Sequence, residues 1–141
     1  MPARSSSAVW EGKLKEGKGT MKVGKGYFEG PFSFASRFES ADATNPEELI
    51  AAAHAGCYSM AFSATLEKNG FDPKRVATTA TAHLEKVGDG FAITKIELDM
   101  EAEIPGIDSA KFNELAEAAK NGCPVSKALA GPEITLKAQL K

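Results

Sequence analysis

Apolar residues recur at every second position near both ends of this chain, and they gather into a long, nearly uncharged run in its middle. Residues 8 to 15 alternate Ala8, Trp10, Gly12 and Leu14 with Val9, Glu11, Lys13 and Lys15, and residues 32 to 38 alternate Phe32, Phe34, Ser36 and Phe38 with Ser33, Ala35 and Arg37. A period of two predicts a strand in each segment. Lysines alternate with glycines between them, which suits solvated hairpin turns. From Asp42 the pattern changes. Thr44 or Asn45 can cap a helix, Pro46 suits its first position, Glu47 and Glu48 lie in its first turn, and Asn69-Gly70 ends it. About 24 residues of helix span roughly 36 Å. Both sides of this helix are apolar or small, so one subunit can hardly cover it.

Beyond the helix, Val76, Thr78, Ala80, Ala82 and Leu84 share one phase, and Gly88-Asp89-Gly90 turns the chain into a second long strand. That strand slips phase between Phe91 and Ile93 on one side and Ile96, Leu98, Met100, Ala102 and Ile104 on the other, which predicts a bulge near Lys95. Asp108 or Ser109 caps an amphipathic helix with Phe112, Leu115, Ala116 and Ala119 on one face, and Gly122 stops it. A short helical turn follows from Pro124. Ile134, Leu136, Ala138 and Leu140 then alternate with polar residues as a final half-buried strand. The expected order is three strands, helix, two strands, helix, strand. It is an α+β pattern forming a single domain over residues 1 to 141, with no repeat or linker.

Composition narrows the class. With 141 residues, 43% hydrophobic and 26% charged, the chain reads as an ordinary globular protein. A net charge of −2 with dispersed Lys and Arg leaves no footprint for nucleic acid. The N-terminus lacks the apolar run of a secretory signal, so the cytoplasm is the expected compartment. Leu49 to Leu66 are 18 residues without Asp, Glu, Lys or Arg, a length at which a membrane span is weighed. His54, Gly56, Tyr58, Ser59, Ser63 and Thr65 within it favour a helix buried in protein. Gly12 to Gly19 and Gly19 to Gly26 approach a phosphate-binding loop, but each window ends in Gly where Ser or Thr is required and no helix follows to receive a phosphate.

Two cysteines carry the candidate chemistry. In a reducing compartment they are more often free, catalytic or transiently oxidised than permanently bridged. Cys57 lies mid-helix, where a small buried core residue is the ordinary reading. Beside it, Gly56 costs roughly 1 kcal/mol of helix propensity, which suggests close approach of another backbone or a ligand. Cys123 lies between Gly122 and Pro124 near a helix N-cap, where free N–H groups favour a thiolate, so local physics makes it the better low-pKa thiol. His54 shares the Cys57 face and is either a base or a packed histidine. His83 has no acid or cysteine at ligand spacing along the chain. A zinc site would need both histidines and both cysteines, and no metal is expected. Arg37 and Glu47 read by themselves as a solvated cation and a helix-dipole acid.

Taken together, Trp10-Glu11-Gly12, Arg37-Phe38-Glu39, Thr44-Asn45-Pro46-Glu47-Glu48-Leu49, Ala53-His54-Ala55, Cys57, Phe91-Ala92-Ile93-Thr94-Lys95-Ile96, Pro105-Gly106-Ile107-Asp108 and Gly122-Cys123-Pro124-Val125-Ser126 resemble the family of osmotically inducible protein C and the organic hydroperoxide resistance proteins. The osmotically inducible branch fits better, with the arginine expected in a strand before the long helix. The resemblance implies a peroxidase for organic hydroperoxides, and hydrogen peroxide less well, that works as an intertwined homodimer without metal, heme or flavin. It implies Cys57 as peroxidatic cysteine, Cys123 as resolving cysteine, and Arg37 with Glu47 as the pair that polarises the site. An external thiol, such as the dithiol of a lipoyl group, would regenerate it. Phe32, Phe34, Met60 and Phe62 would line the alkyl site or be plain core. Glu47 and Cys57 lie ten residues apart on one helix, about 15 Å of rise. If both touch one arginine, two such helices packed antiparallel about a two-fold axis would bring Glu47 of one subunit to Cys57 of the other. A thiol–disulfide oxidoreductase centred on Cys123, and a non-enzymatic small-molecule-binding dimer, are the competing functions.

Overall fold

In a computed structural model all 141 residues are described, in two compact units, Met1–Leu49 and Ile50–Lys141. The first unit holds an antiparallel sheet in the order β1-β2-β3, from β1 (Ser7–Glu11), β2 (Lys18–Val23) and β3 (Phe28–Phe32). Trp10 and Phe32 stack obliquely over it with ring centroids 5.3 Å apart. Gly19 lies beneath them, where a Cβ would come within 2.5 Å of the Phe32 ring. One glycine of the Lys-Gly run is therefore required by packing. β2 takes in the end of the first glycine window and most of the second, and the element that follows each is a strand, so no helix N-terminus stands there to receive a phosphate.

The strand expected over 32 to 38 stops at Phe32, and residues 34 to 38 form a short helix, α1 (Phe34–Phe38). Its cause is a reciprocal cap. The Ser36 backbone N–H donates to Ser33 Oγ at 3.1 Å, and the Ser33 N–H donates to Ser36 Oγ at 2.9 Å. Phe34 and Phe38, four residues apart, then share a helical face with centroids 4.9 Å apart. Their spacing fits a helix as well as it fits a strand, and Arg37 consequently lies on α1 rather than on a strand.

The long helix, α2 (Pro46–Lys68), starts where its signals placed it. Asn45 is the capping residue, since its Oδ1 accepts from the Glu48 N–H at 2.9 Å. By length and composition α2 is apolar enough to cross a membrane. Within the second unit, however, His54, Tyr58, Phe62 and Leu66 form a buried stripe at four-residue spacing. Ala52, Ala53, Gly56, Met60 and Ala64 remain exposed on another face.

The second unit closes on a sheet ordered β4-β5-β6, from β4 (Arg75–Val87), β5 (Gly90–Glu103) and β6 (Glu133–Leu140); β5 is antiparallel to β4 and parallel to β6. Gly88 opens the β4–β5 turn at a φ of +61°, which glycine adopts without steric cost. The register jumps between His83, opposite Lys95, and Leu84, opposite Ile93. Thr94 is thus the extra residue of the expected bulge. Asp108 caps α3 (Ser109–Gly122), its side chain accepting from the Lys111 N–H, and α4 (Pro124–Ala128) follows. Ile96, Leu98 and Met100 of β5, Phe112, Leu115 and Ala116 of α3, and Tyr58, Phe62 and Leu66 of α2 make the core. Phe62 lies edge-on to Phe112 at 5.7 Å and is fully buried. Truncation to Phe62→Ala should cost about 3–5 kcal/mol of unfolding free energy, read from the shift of a urea denaturation curve.

Candidate active site

Cys57 and Cys123 meet although 66 residues separate them, with Sγ atoms 3.1 Å apart. α2 supplies Cys57, three residues past buried His54. Cys123 sits at the junction where α3 ends and α4 begins, and its N–H still bonds to the Ala119 carbonyl at 2.9 Å. Pro124 at the start of α4 lacks an N–H and cannot continue the ladder of α3, which fixes the bend at Cys123. Both thiols are free; Cys57 is partly exposed and Cys123 fully buried. The two sulfurs are close enough that one S–H can bridge them.

The surroundings act differently on the two sulfurs. Burial pushes the Cys57 thiol up, and the contact with Cys123 adds to it. Burial acts on Cys123 in the same sense. There the backbone N–H of Ser126, the Cys57 thiol, the Ser126 hydroxyl and the Val125 N–H outweigh it, so Cys123 falls below the ordinary thiol range. Of the two, Cys123 is shifted toward the thiolate and Cys57 away from it, the order local sequence physics suggested.

His54 is the other polar group at this junction. It is fully buried, its Nε2 lies 2.7 Å from Ser126 Oγ, and burial holds it below the usual imidazole range, as a neutral ring. Spacing alone suggested a partner for Cys57; the hydrogen bond it makes is to Ser126. Tyr58, next to Cys57, donates to the Ala116 carbonyl at 3.0 Å and is held far above the normal phenol range, chiefly by burial. On the hairpin, His83 pairs with Glu97 at 2.7 Å, a neighbour that only strand register supplies. No cluster of three metal-ligating side chains forms.

Arg37 and Glu47 come together within the first unit. Arg37 Nη2 and Nε donate to the same carboxylate oxygen of Glu47, at 2.8 and 3.1 Å. Two contacts tie α1 to the start of α2 and set that geometry: Ser36 Oγ donates to the Thr44 carbonyl at 2.8 Å, and Asn45 Nδ2 donates to the Ser36 carbonyl at 3.0 Å. Glu47 is buried, while Arg37 remains 39% exposed with its other N–H donors available to a ligand. Phe32 borders a cleft of about 440 Å³ in the same unit, and Phe34 stacks on Phe38. Met60 is exposed, and Phe62 lies in the core of the second unit.

Residues 39–137 match the family model described as OsmC-like protein. The chain belongs to the OsmC-like family. Among its OsmC-like relatives, Peroxiredoxin OsmC of Escherichia coli is 50% identical over 139 residues, covering 98% of this chain and 96% of the relative. An organic hydroperoxide resistance protein of Xanthomonas axonopodis is 31% identical over 91 residues, covering 64% of this chain and 62% of the other. The fold recurs in an OsmC-like protein of Vibrio cholerae with a TM-score of 0.76 at 17% identity, covering 98% and 99% of the two chains. It recurs also in the organic hydroperoxide resistance protein OhrB of Bacillus subtilis, with a TM-score of 0.68 at 25% identity, covering 97% and 98%. Glu47, Cys57 and Cys123 lie inside the segment matched by the OsmC-like model, and Arg37 lies two residues before it.

Proposed function

We propose that this chain is a thiol-dependent peroxidase for organic hydroperoxides, with Cys57 as nucleophile, Cys123 as resolving thiol, and Arg37 with Glu47 completing the site. The observation that carries the reading is the pair of free sulfurs 3.1 Å apart, one partly exposed and one buried, in a member of a family with peroxiredoxin relatives. The Cys57 thiolate attacks one peroxide oxygen, the O–O bond breaks, and the other oxygen leaves as an alcohol after taking a proton. Cys57 is then a sulfenic acid. Cys123, the readier thiolate, attacks that sulfur, hydroxide departs as water, and a Cys57–Cys123 disulfide remains for an external thiol to reduce.

Cys57 needs help at the first step, because its surroundings in the second unit raise its pKa. A guanidinium beside it would reverse that effect, and its planar fork can hold a peroxide at the same time. Glu47 orients the fork of Arg37. Since Glu47 and Cys57 lie ten residues apart on α2, the two halves of the site come from different subunits of a homodimer, with the long helices antiparallel. Support for this packing comes from the exposed small-residue face of α2, where a Cβ at Gly56 would meet nothing within 4 Å. Phe32, Phe34 and Met60 are assigned to the alkyl chain of the substrate, and the fully buried Phe62 to the core of the second unit. The reaction needs no metal or organic cofactor, and the expected setting is a soluble cytoplasmic dimer. Cumene hydroperoxide should disappear faster than hydrogen peroxide when a dithiol is supplied. Insulin reduction without peroxide turnover would instead make the protein a thiol–disulfide oxidoreductase.

A further inference from the structure

His54 and Ser126 are buried polar side chains for which the peroxide step has no use, yet they contact each other at 2.7 Å beside the cysteine pair. Ser126 is the third residue of α4, and Cys123 is the N-cap of that helix. A side chain at this position reaches back toward the cap. The other ring nitrogen of His54, Nδ1, is buried without a partner. If Nε2 accepted from the serine, Nδ1 would carry a buried proton with no acceptor, which is rarer and costlier than a bare lone pair. Nε2–H therefore donates to Ser126 Oγ. That leaves the serine hydroxyl proton for Cys123 Sγ. The other titratable groups facing Cys123 are Cys57 and Tyr58 of α2; Lys120 and Lys127 border, with Ser126, an open cleft of about 330 Å³.

We propose that His54 and Ser126 are a positioning pair that holds Cys123 as the leaving thiolate when the Cys57–Cys123 disulfide is reduced, so that the external thiol attacks Cys57. Disulfide exchange favours attack on the accessible sulfur with departure of the more acidic thiol, and here the partly exposed Cys57 and the buried Cys123 divide those roles. The incoming thiolate bonds to Cys57 Sγ, the S–S bond breaks, and its electron pair stays on Cys123. A second thiol then attacks the mixed disulfide and frees Cys57. This inference rests on the peroxidase reading for the origin of the disulfide, but its chemistry can be measured without peroxide.

Oxidation with diamide, followed by limiting cysteamine and peptide mapping, should find the adduct on Cys57; an adduct on Cys123 would overturn the proposal. In a Cys57→Ser background, where Cys123 is the sole cysteine, ultraviolet thiolate absorbance can be titrated. Ser126→Ala and His54→Leu should each lower the thiolate-to-thiol ratio near neutral pH about tenfold, as expected for loss of a hydrogen bond to an anion. Ser126→Thr and His54→Gln, which keep the hydroxyl and the donor, should stay close to the background protein. An unchanged titration in a folded Ser126→Ala chain would also sink the idea. Correct regeneration of diamide-oxidised protein that does not consume cumene hydroperoxide would keep the pair and reject the peroxidase.

Discussion

Replacing Cys57 with serine is expected to lower the consumption of cumene hydroperoxide, with a dithiol present, by on the order of a thousandfold or more. A serine hydroxyl is far less acidic than a thiol, so even beside Cys123 it stays protonated and inert toward the O–O bond. Cys123→Ser should behave differently. It retains the proposed nucleophile and should consume about one equivalent of peroxide per chain, then slow because no thiol stands 3.1 Å away to capture the sulfenic acid. Prolonged peroxide should drive that variant to sulfinic acid, visible by mass spectrometry as two added oxygens. A Cys123→Ser chain that turns over at the unmodified rate would remove Cys123 from the cycle.

The second large effect concerns Arg37. Arg37→Ala should lower turnover about a hundredfold, since in the proposed site it deletes the cation that favours the Cys57 thiolate and the donors that hold the peroxide. The more telling result is complementation. Inactive Cys57→Ser chains and weakly active Arg37→Ala chains, unfolded together and refolded as mixed dimers, should recover about a quarter of full activity. Half the dimers are then mixed, and each mixed dimer has one intact site if arginine and cysteine come from different subunits. No recovery in demonstrably mixed dimers would place both groups in the same chain and refute the shared site.

Much of this arrangement is legible in the sequence because its signals are local. Asn45-Pro46-Glu47-Glu48 marks the start of α2, Asp108 that of α3, and the phase slip around Thr94 marks the bulge. The strand expected over 32 to 38 fails because one alternating run of four phases cannot separate period two from period four. Ser33 and Ser36, three residues apart and able to cap each other, were the signal that decides it. The contact of His54 with Ser126 spans 72 residues, and that of His83 with Glu97 depends on strand register, so neither can be read from spacing along the chain. Cys123 is the opposite case. Gly122 and Pro124 state its helix-junction position in the sequence, and the lowered pKa found there follows from that position and from Ser126. The proposed priority of Cys57 as nucleophile has no such local source, because burial and its neighbour both act against it.

That priority is therefore the point to test, by trapping the sulfenic acid with a dimedone-type probe in Cys57→Ser and Cys123→Ser chains after one equivalent of cumene hydroperoxide. The account predicts a labelled Cys57 in the Cys123→Ser chain and no label in the Cys57→Ser chain. Label on Cys123 in the Cys57→Ser chain, with none in the Cys123→Ser chain, would contradict it and make Cys123 the nucleophile.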